Sequence, residues 1–263
     1  SSPHANYDAA QNIGAVYGML QMPLTSKLSL VGGARLETTE MTLDRIYLDG
    51  VDAQGRPKDT TDLINDADLL PSINLIYRVT DEVNVRTAYG RTLARPTFRE
   101  LARYASEDFA GDIIFNGNPN LEYTKIDNYD LRVEWFDNPG EILAVSGFYK
   151  YFRNPIERTF IGENDIQYQN VSHADVYGLE VEWRKGLGFV HSTFRNFRLG
   201  GNLTLVKSTV DRTERELTEK RVAEPGVADT RPLAGQSPYI INVDLGFASQ
   251  RSGTALTVLV NAY

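Results

Sequence analysis

Asn128-Tyr-Asp-Leu-Arg-Val-Glu-Trp135 is the stretch that decides how this chain is read. It alternates without a break, with Tyr129, Leu131, Val133 and Trp135 on one side and Asn128, Asp130, Arg132 and Glu134 on the other. Successive side chains of a strand face opposite ways, so the stretch predicts a ribbon with one apolar and one charged face. Asp137-Asn-Pro-Gly140 then has turn chemistry, because proline presets φ and glycine tolerates positive φ. The return arm sets Leu143, Val145, Tyr149 and Tyr151 against Ala144, Ser146 and Lys150. Each arm offers roughly ten residues of two-faced strand, the length a tilted strand needs to cross a bilayer. Strands of soluble sandwiches run about five or six residues, so length separates the two.

The same pattern extends in both directions. Strands are expected over 11–24 (Ile13, Ala15, Tyr17 and Met19 sharing a face), 27–44, 71–79, 83–89, 166–184, 197–205, 239–247 and 256–260. Leu131-Arg-Val-Glu-Trp135 returns almost unchanged as Leu179-Glu-Val-Glu-Trp183. Short turns alternate with long polar loops at 45–65, 96–120 and 211–237. About ten long antiparallel strands joined in this way predict an all-β fold, a segment of a transmembrane β-barrel with short periplasmic turns and long extracellular loops. Tyr77, Trp135, Trp183 and Phe247 lie on apolar faces near short turns, where a membrane-interface girdle of aromatic rings is expected. Two other architectures follow the same pattern: a closed ten-strand porin or adhesin, which requires 13–20 to pair with 256–260, and a soluble β-sheet binding module.

Composition narrows the function. The chain has 263 residues and a net charge of −8, which argues against the clustered cations of a nucleic-acid footprint. It has no cysteine, hence no disulfide framework and no thiolate chemistry. Ser1-Ser-Pro-His-Ala-Asn6 shows neither the basic nor the apolar region of a signal peptide. No apolar run approaches the ~18 residues of a membrane helix, but barrel strands spend only every second residue on lipid. Fourteen tyrosines and eleven phenylalanines against three methionines suit strands and interfacial belts.

Several side chains are candidates for chemistry. Arg91, Arg95, Arg99 and Arg103 recur every fourth residue where a strand runs into a helix expected from Pro96. They form a candidate site for an anionic ligand such as a ferric chelate. The competing account pairs them with Glu100, Glu107 and Asp108. Arg132, Glu134, Glu180, Glu182 and Arg184, with Asp130 and Lys150, occupy the polar faces and are expected to line the lumen. The simpler reading of these charges is pairing between neighbouring strands. Glu180 and Glu182 share a face, but nothing marks one as a general acid. His4, His173 and His191 lack metal-type spacing, and Asp59, Asp62, Asp66 and Asp68 lack the glycine and glutamate of a calcium loop. No catalytic residue and no cofactor is expected.

Longer segments resemble a known family. Asp68-Leu-Leu-Pro-Ser-Ile-Asn-Leu-Ile-Tyr77, Arg86-Thr-Ala-Tyr-Gly-Arg-Thr-Leu-Ala-Arg-Pro96 and Phe98-Arg-Glu-Leu101 are similar to mid-barrel segments of the TonB-dependent outer-membrane receptors. So are Gly117-Asn-Pro-Asn-Leu121 and Asn170-Val-Ser-His-Ala-Asp-Val-Tyr-Gly-Leu-Glu180. The resemblance implies a 22-stranded barrel filled by an N-terminal plug in the bacterial outer membrane. Such a barrel imports a scarce nutrient (ferric siderophore, cobalamin or oligosaccharide) with energy relayed by TonB. The expected partners are outer-membrane lipid, the plug and the remaining strands, TonB acting through the plug, and a small nutrient ligand. Residues 1–263 are then expected to be a partial barrel domain, with the plug and the last strands outside them.

Overall fold

A computed structural model describes residues 7–45, 60–102, 105–107, 114–161 and 165–263. Ten long strands build the wall: β1 (Tyr7–Pro23), β2 (Leu28–Arg45), β3 (Thr60–Arg78), β4 (Val83–Ala94) and β5 (Thr124–Trp135), followed by β6 (Ile142–Arg153), β7 (His173–Gly186), β8 (Phe197–Asp211), β9 (Tyr239–Ser249) and β10 (Thr254–Ala262). They lie side by side in chain order, every pair antiparallel, with Thr230–Arg231 added as a two-residue strand on β8. The predicted antiparallel β-barrel segment is therefore present. The sheet is open: among the described residues β1 pairs only with β2 and β10 only with β9, so the closed ten-strand arrangement does not form.

Register shows the strand tilt. Tyr77 shares one cross-strand row with Val85, Val133, Val145, Val181, Leu203 and Ile241. Trp135 and Trp183 lie two residues beyond that row toward the turns, and Phe247 lies six residues beyond it. The drift is about one residue per strand which, at ~3.3 Å per residue and ~4.8 Å between strands, corresponds to a tilt of roughly 35°. Rings that drift across the register at this rate stay level along the axis of a barrel with that strand tilt. The outward row above them is apolar and open, with Leu131 54% and Val133 44% exposed. Phe194, Phe197 and Phe247 extend the aromatic band, with ring centroids 6.0 and 5.0 Å apart.

Several segments depart from the sequence reading. β3 starts at Thr60, inside the stretch expected to be loop, because polar residues above the membrane still pair: Glu40 faces Asn65 and Thr42 faces Asp62. Residues 46–59, including Asp59, lie outside the described residues; Asp66 and Asp68 are strand residues, and Asp68 pairs with Lys125 at 2.8 Å. The strand expected over 166–184 is broken near Val171. Asp165–Asn170 leaves the wall and joins Ile156–Phe160, Ile114–Asn116 and Ala105–Glu107 in a separate four-stranded sheet that ties two external loops together. The loop at 211–237 carries α2 (Glu214–Ala223), capped by Thr213. Ile13, Ala15, Tyr17 and Met19 do share a face. It is the inner one, because Tyr17 lies opposite Arg35 and Ala15 opposite Glu37.

The turn after β5 shows how the periplasmic end is fixed. Gly140 adopts φ 82°. Glu141 accepts hydrogen bonds from Lys185 Nζ (2.7 Å), Asn138 Nδ2 (2.9 Å) and the Gly186 amide (2.9 Å). These bonds, the one from Lys185 foremost, hold its carboxyl at a pKa of about 2, below the ordinary 4.5. A depressed carboxylate stabilises the fold fully above its unfolded pKa and loses that contribution as pH falls through the folded one. The Tm advantage of the native protein over Glu141→Gln is therefore expected to shrink below about pH 4.5 and disappear near pH 2. A carboxyl midpoint near 4.5, followed by NMR in detergent, refutes this.

Candidate functional site

The external end of the inner wall is built around a buried acid. Glu37 on β2 is 7% exposed and accepts from Arg35 Nε at 2.6 Å and from Arg95, which enters from beyond β4. Arg95 also donates to Thr39 Oγ1 (3.1 Å from Nε, 2.9 Å from Nη2) and lies 5.6 Å over the Tyr123 ring. Burial raises the pKa of the Tyr123 phenol, with Thr39 and Arg95 pulling the other way. β3 and β4 pair only from Ser72/Gly90 down to Arg78/Asn84, and that divergence lets the chain after Ala94 turn inward.

It turns into α1 (Phe98–Leu101). The helix expected from Pro96 begins at Phe98, with Thr97 as its cap: Thr97 Oγ1 accepts from the Glu100 amide, and Glu100 Oε2 accepts from the Thr97 amide at 2.7 Å. The Glu100 carboxylate is thereby committed to the cap. Leu101 is fully buried among Met41, Ile64, Leu121 and Tyr123. The family-like Gly117-Asn-Pro-Asn-Leu121 segment locks this arrangement. The Asn118 amide donates to the Glu100 carbonyl at 2.6 Å, and Asn118 Nδ2 donates to the Tyr168 carbonyl at 3.1 Å. Asn170 closes the joint, accepting from the Glu122 amide at 2.8 Å and donating to the Asn154 carbonyl at 2.7 Å.

Below these loops lies a cavity of about 670 Å³ on the inner face, bordered by Arg95, Phe148, Lys150, Phe152, Ile156 and the 233–237 segment. A network of charges holds that segment over the opening. Arg231 reaches Glu157 at 2.8 Å and Glu216 at 3.4 Å, Arg212 pairs with Glu216, and Ser208 Oγ accepts from the Leu233 amide at 2.9 Å. Nearer the periplasm, Glu134 is held by Arg86 (2.7 Å) and Arg132 (2.9 Å), and Arg132 reaches Glu182 two strands away at 2.6 Å. The small intervening side chains Ala144 and Ser146 let it cross, and Ser146 Oγ accepts from Arg132 at 3.1 Å.

The four arginines at fourth-residue spacing are not brought together. Arg91 faces outward beside Tyr89 and Asp127, and Arg95 faces inward. Arg99 sits on α1, and Arg103 lies outside the described residues. The Asp108 of the competing pairing is likewise undescribed. Arg95 takes its partner from β2 instead, 58 residues away in sequence. Among the lumen candidates, Arg132, Glu134 and Glu182 form one cluster, while Glu180 and Arg184 share its face outside it. His191 caps a short turn by accepting from the Thr193 amide at 3.2 Å, His173 Nδ1 lies 2.8 Å from Asp211, and His4 is undescribed. Sequence reasoning did not single out Phe148 and Phe152. Their signal was there, as two aromatic residues at inward positions on either side of Lys150.

Residues 2–262 match the family described as TonB dependent receptor-like, beta-barrel. Curated protein sequences gave no match. Solved structures share the fold at low identity. The ferric yersiniabactin uptake receptor FyuA from Yersinia pestis has a TM-score of 0.62 and 16% identity over 97% of this chain and 34% of its own. The ferric-catecholate import receptor Fiu from E. coli K12 gives 0.61 and 16% over 93% and 33%. The alcaligin outer membrane receptor FauA from Bordetella pertussis gives 0.58 and 15% over 97% and 37%. The chain thus spans about a third of the length of these receptors. Register, tilt, loop architecture and the family match agree: this chain belongs to the TonB-dependent receptor β-barrel family.

Proposed function

We propose that the chain forms part of the wall and external loops of a bacterial outer-membrane receptor that takes up a scarce small nutrient. In this reading TonB supplies energy through a plug, lipid meets the outer face, and no covalent chemistry falls to these residues. The inner-face cavity carries the proposal. Glu37 answers the charge of Arg95, whereas Lys150 has no carboxylate partner among the described residues and sits 5.9 Å from the Phe148 ring centroid. An uncompensated ammonium among aromatic rings suits an anionic chelate that carries aromatic rings and gives little to a neutral sugar. Of the three cargo classes, ferric siderophore, cobalamin and oligosaccharide, this favours the first. The names of the Fiu and FyuA receptors belong to that class, as properties of those proteins.

The test is binding of a ferric tris-catecholate to the intact protein, with neutral cyanocobalamin as the comparison. Lys150→Ala is expected to weaken the catecholate roughly tenfold, the scale of one lost charged hydrogen bond, and Lys150→Glu to weaken it further. Unchanged affinity for every anionic chelate in both variants refutes the reading.

A further inference from the structure

The outer wall carries a second cavity, of about 680 Å³, bordered by Leu75, Tyr89, Leu131, Tyr149 and Tyr177. It exists because Gly147 occupies an outward position in the row Thr87–Leu131–Gly147–Leu179–Leu205, where a Cβ would meet nothing within 4 Å. Its upper rim is one cross-strand row of tyrosines, Tyr89, Tyr129, Tyr149 and Tyr177, with neighbouring ring centroids at 5.1 and 6.0 Å for the first two pairs. Above the rim, Asp127 accepts from Tyr89 Oη (2.8 Å), Arg91 Nε (2.9 Å) and Arg153. Asp175 accepts from Tyr149 Oη at 2.5 Å, and Lys207 stands beside Tyr177 in the tyrosine row.

We infer that this groove seats one phosphate-bearing lipid, its acyl chain over Gly147 and its phosphate at Arg91 and Arg153. Two guanidinium groups share one carboxylate, which leaves a net positive charge. Their side chains are 33% and 43% exposed, so further N–H donors are free for a phosphate oxygen. Height agrees as well. Asp127 lies eight residues up β5 from the girdle residue Trp135, roughly 21 Å along the barrel axis at the tilt given above, near the far edge of a ~25 Å apolar band. Headgroups begin there, and tyrosine hydroxyls favour that level. Arg91 points away from the lumen, so this site is independent of the cargo cavity.

The experiment uses the intact protein in neutral detergent, exposed to phosphatidylglycerol, to phosphatidylcholine with the same chains, or to inorganic phosphate, with retained ligand counted by native mass spectrometry. One equivalent of phosphatidylglycerol is expected to be retained at least fivefold above phosphatidylcholine, with no retention of inorganic phosphate. Gly147→Leu, which fills the groove, and the Arg91→Gln/Arg153→Gln pair should each abolish that preference. An equal retention of both lipids by the native protein overturns the proposal, as does a preference that survives Gly147→Leu. Dimerisation through this face without lipid retention also overturns it. Since Gly147 borders open space, Gly147→Leu keeps the test valid even where the arginine pair disturbs folding, and unchanged ferric-chelate binding in it separates this outcome from a failure of the uptake reading.

Discussion

Gly117→Ala is expected to undo the docking of the external loops while leaving the barrel wall intact. A Cβ at Gly117 would fall on the carbonyl oxygen of Ala102, with the Ala102 backbone packed around it. The obstruction is main chain, not the tip of a flexible side chain, so one of the two segments must move. Moving it breaks the bond from the Asn118 amide to Glu100 and lifts Leu101 out of its cluster. Overpacking costs about 1–3 kcal/mol where side chains can yield, and a backbone obstruction lies at or above the upper end. The expected readouts are rapid proteolysis between 96 and 123 and loss of ferric-chelate binding, because the Thr97 cap and Glu100 of α1 border the cavity. Gly226→Ala is the control: a Cβ there meets open space, and its effect should stay within about 0.5 kcal/mol. Equal protease resistance of Gly117→Ala and the native protein refutes the docking argument.

Glu37→Ala has the second largest expected effect. It strips the carboxylate that pairs with Arg95, whose side chain is 18% exposed and has little access to water. Removing one partner of a buried pair costs about 3–5 kcal/mol when the other stays uncompensated. Arg35, at 44% exposed, recovers solvation and lowers the figure to roughly 3 kcal/mol. Glu37→Gln keeps an acceptor for both arginines and should cost less. The measurement is thermal unfolding in detergent combined with a double-mutant cycle against Arg95→Ala. A coupling near zero would mean that Glu37 and Arg95 do not depend on each other.

These two variants mark where the sequence is hard to read. Glu37 and Arg95 are 58 residues apart, and no periodicity links them; what links them is the divergence of β3 from β4 above Ser72 and Gly90. Gly117 looks like an ordinary loop glycine until Ala102 is seen against it. Similarly, Arg91 and Arg95 looked like one stripe, and a single strand's alternation combined with a turn after Ala94 sent them to opposite sides of the wall. Polarity misled at 60–65, because a strand that rises above the membrane is wet on both faces and resembles a loop.

The ten two-faced wall strands and the short turns between them were determined by the sequence itself, for a physical reason. A wall with hydrocarbon on one side and water on the other imposes a two-residue alternation on every strand, and local alternation survives in one dimension. Which face of β1 turns inward, which arginine meets which acid, and where Gly147 leaves a gap were decided only by the tertiary structure. Those outcomes depend on register between strands and on where loops leave the sheet, and both arise from contacts between residues far apart in the chain.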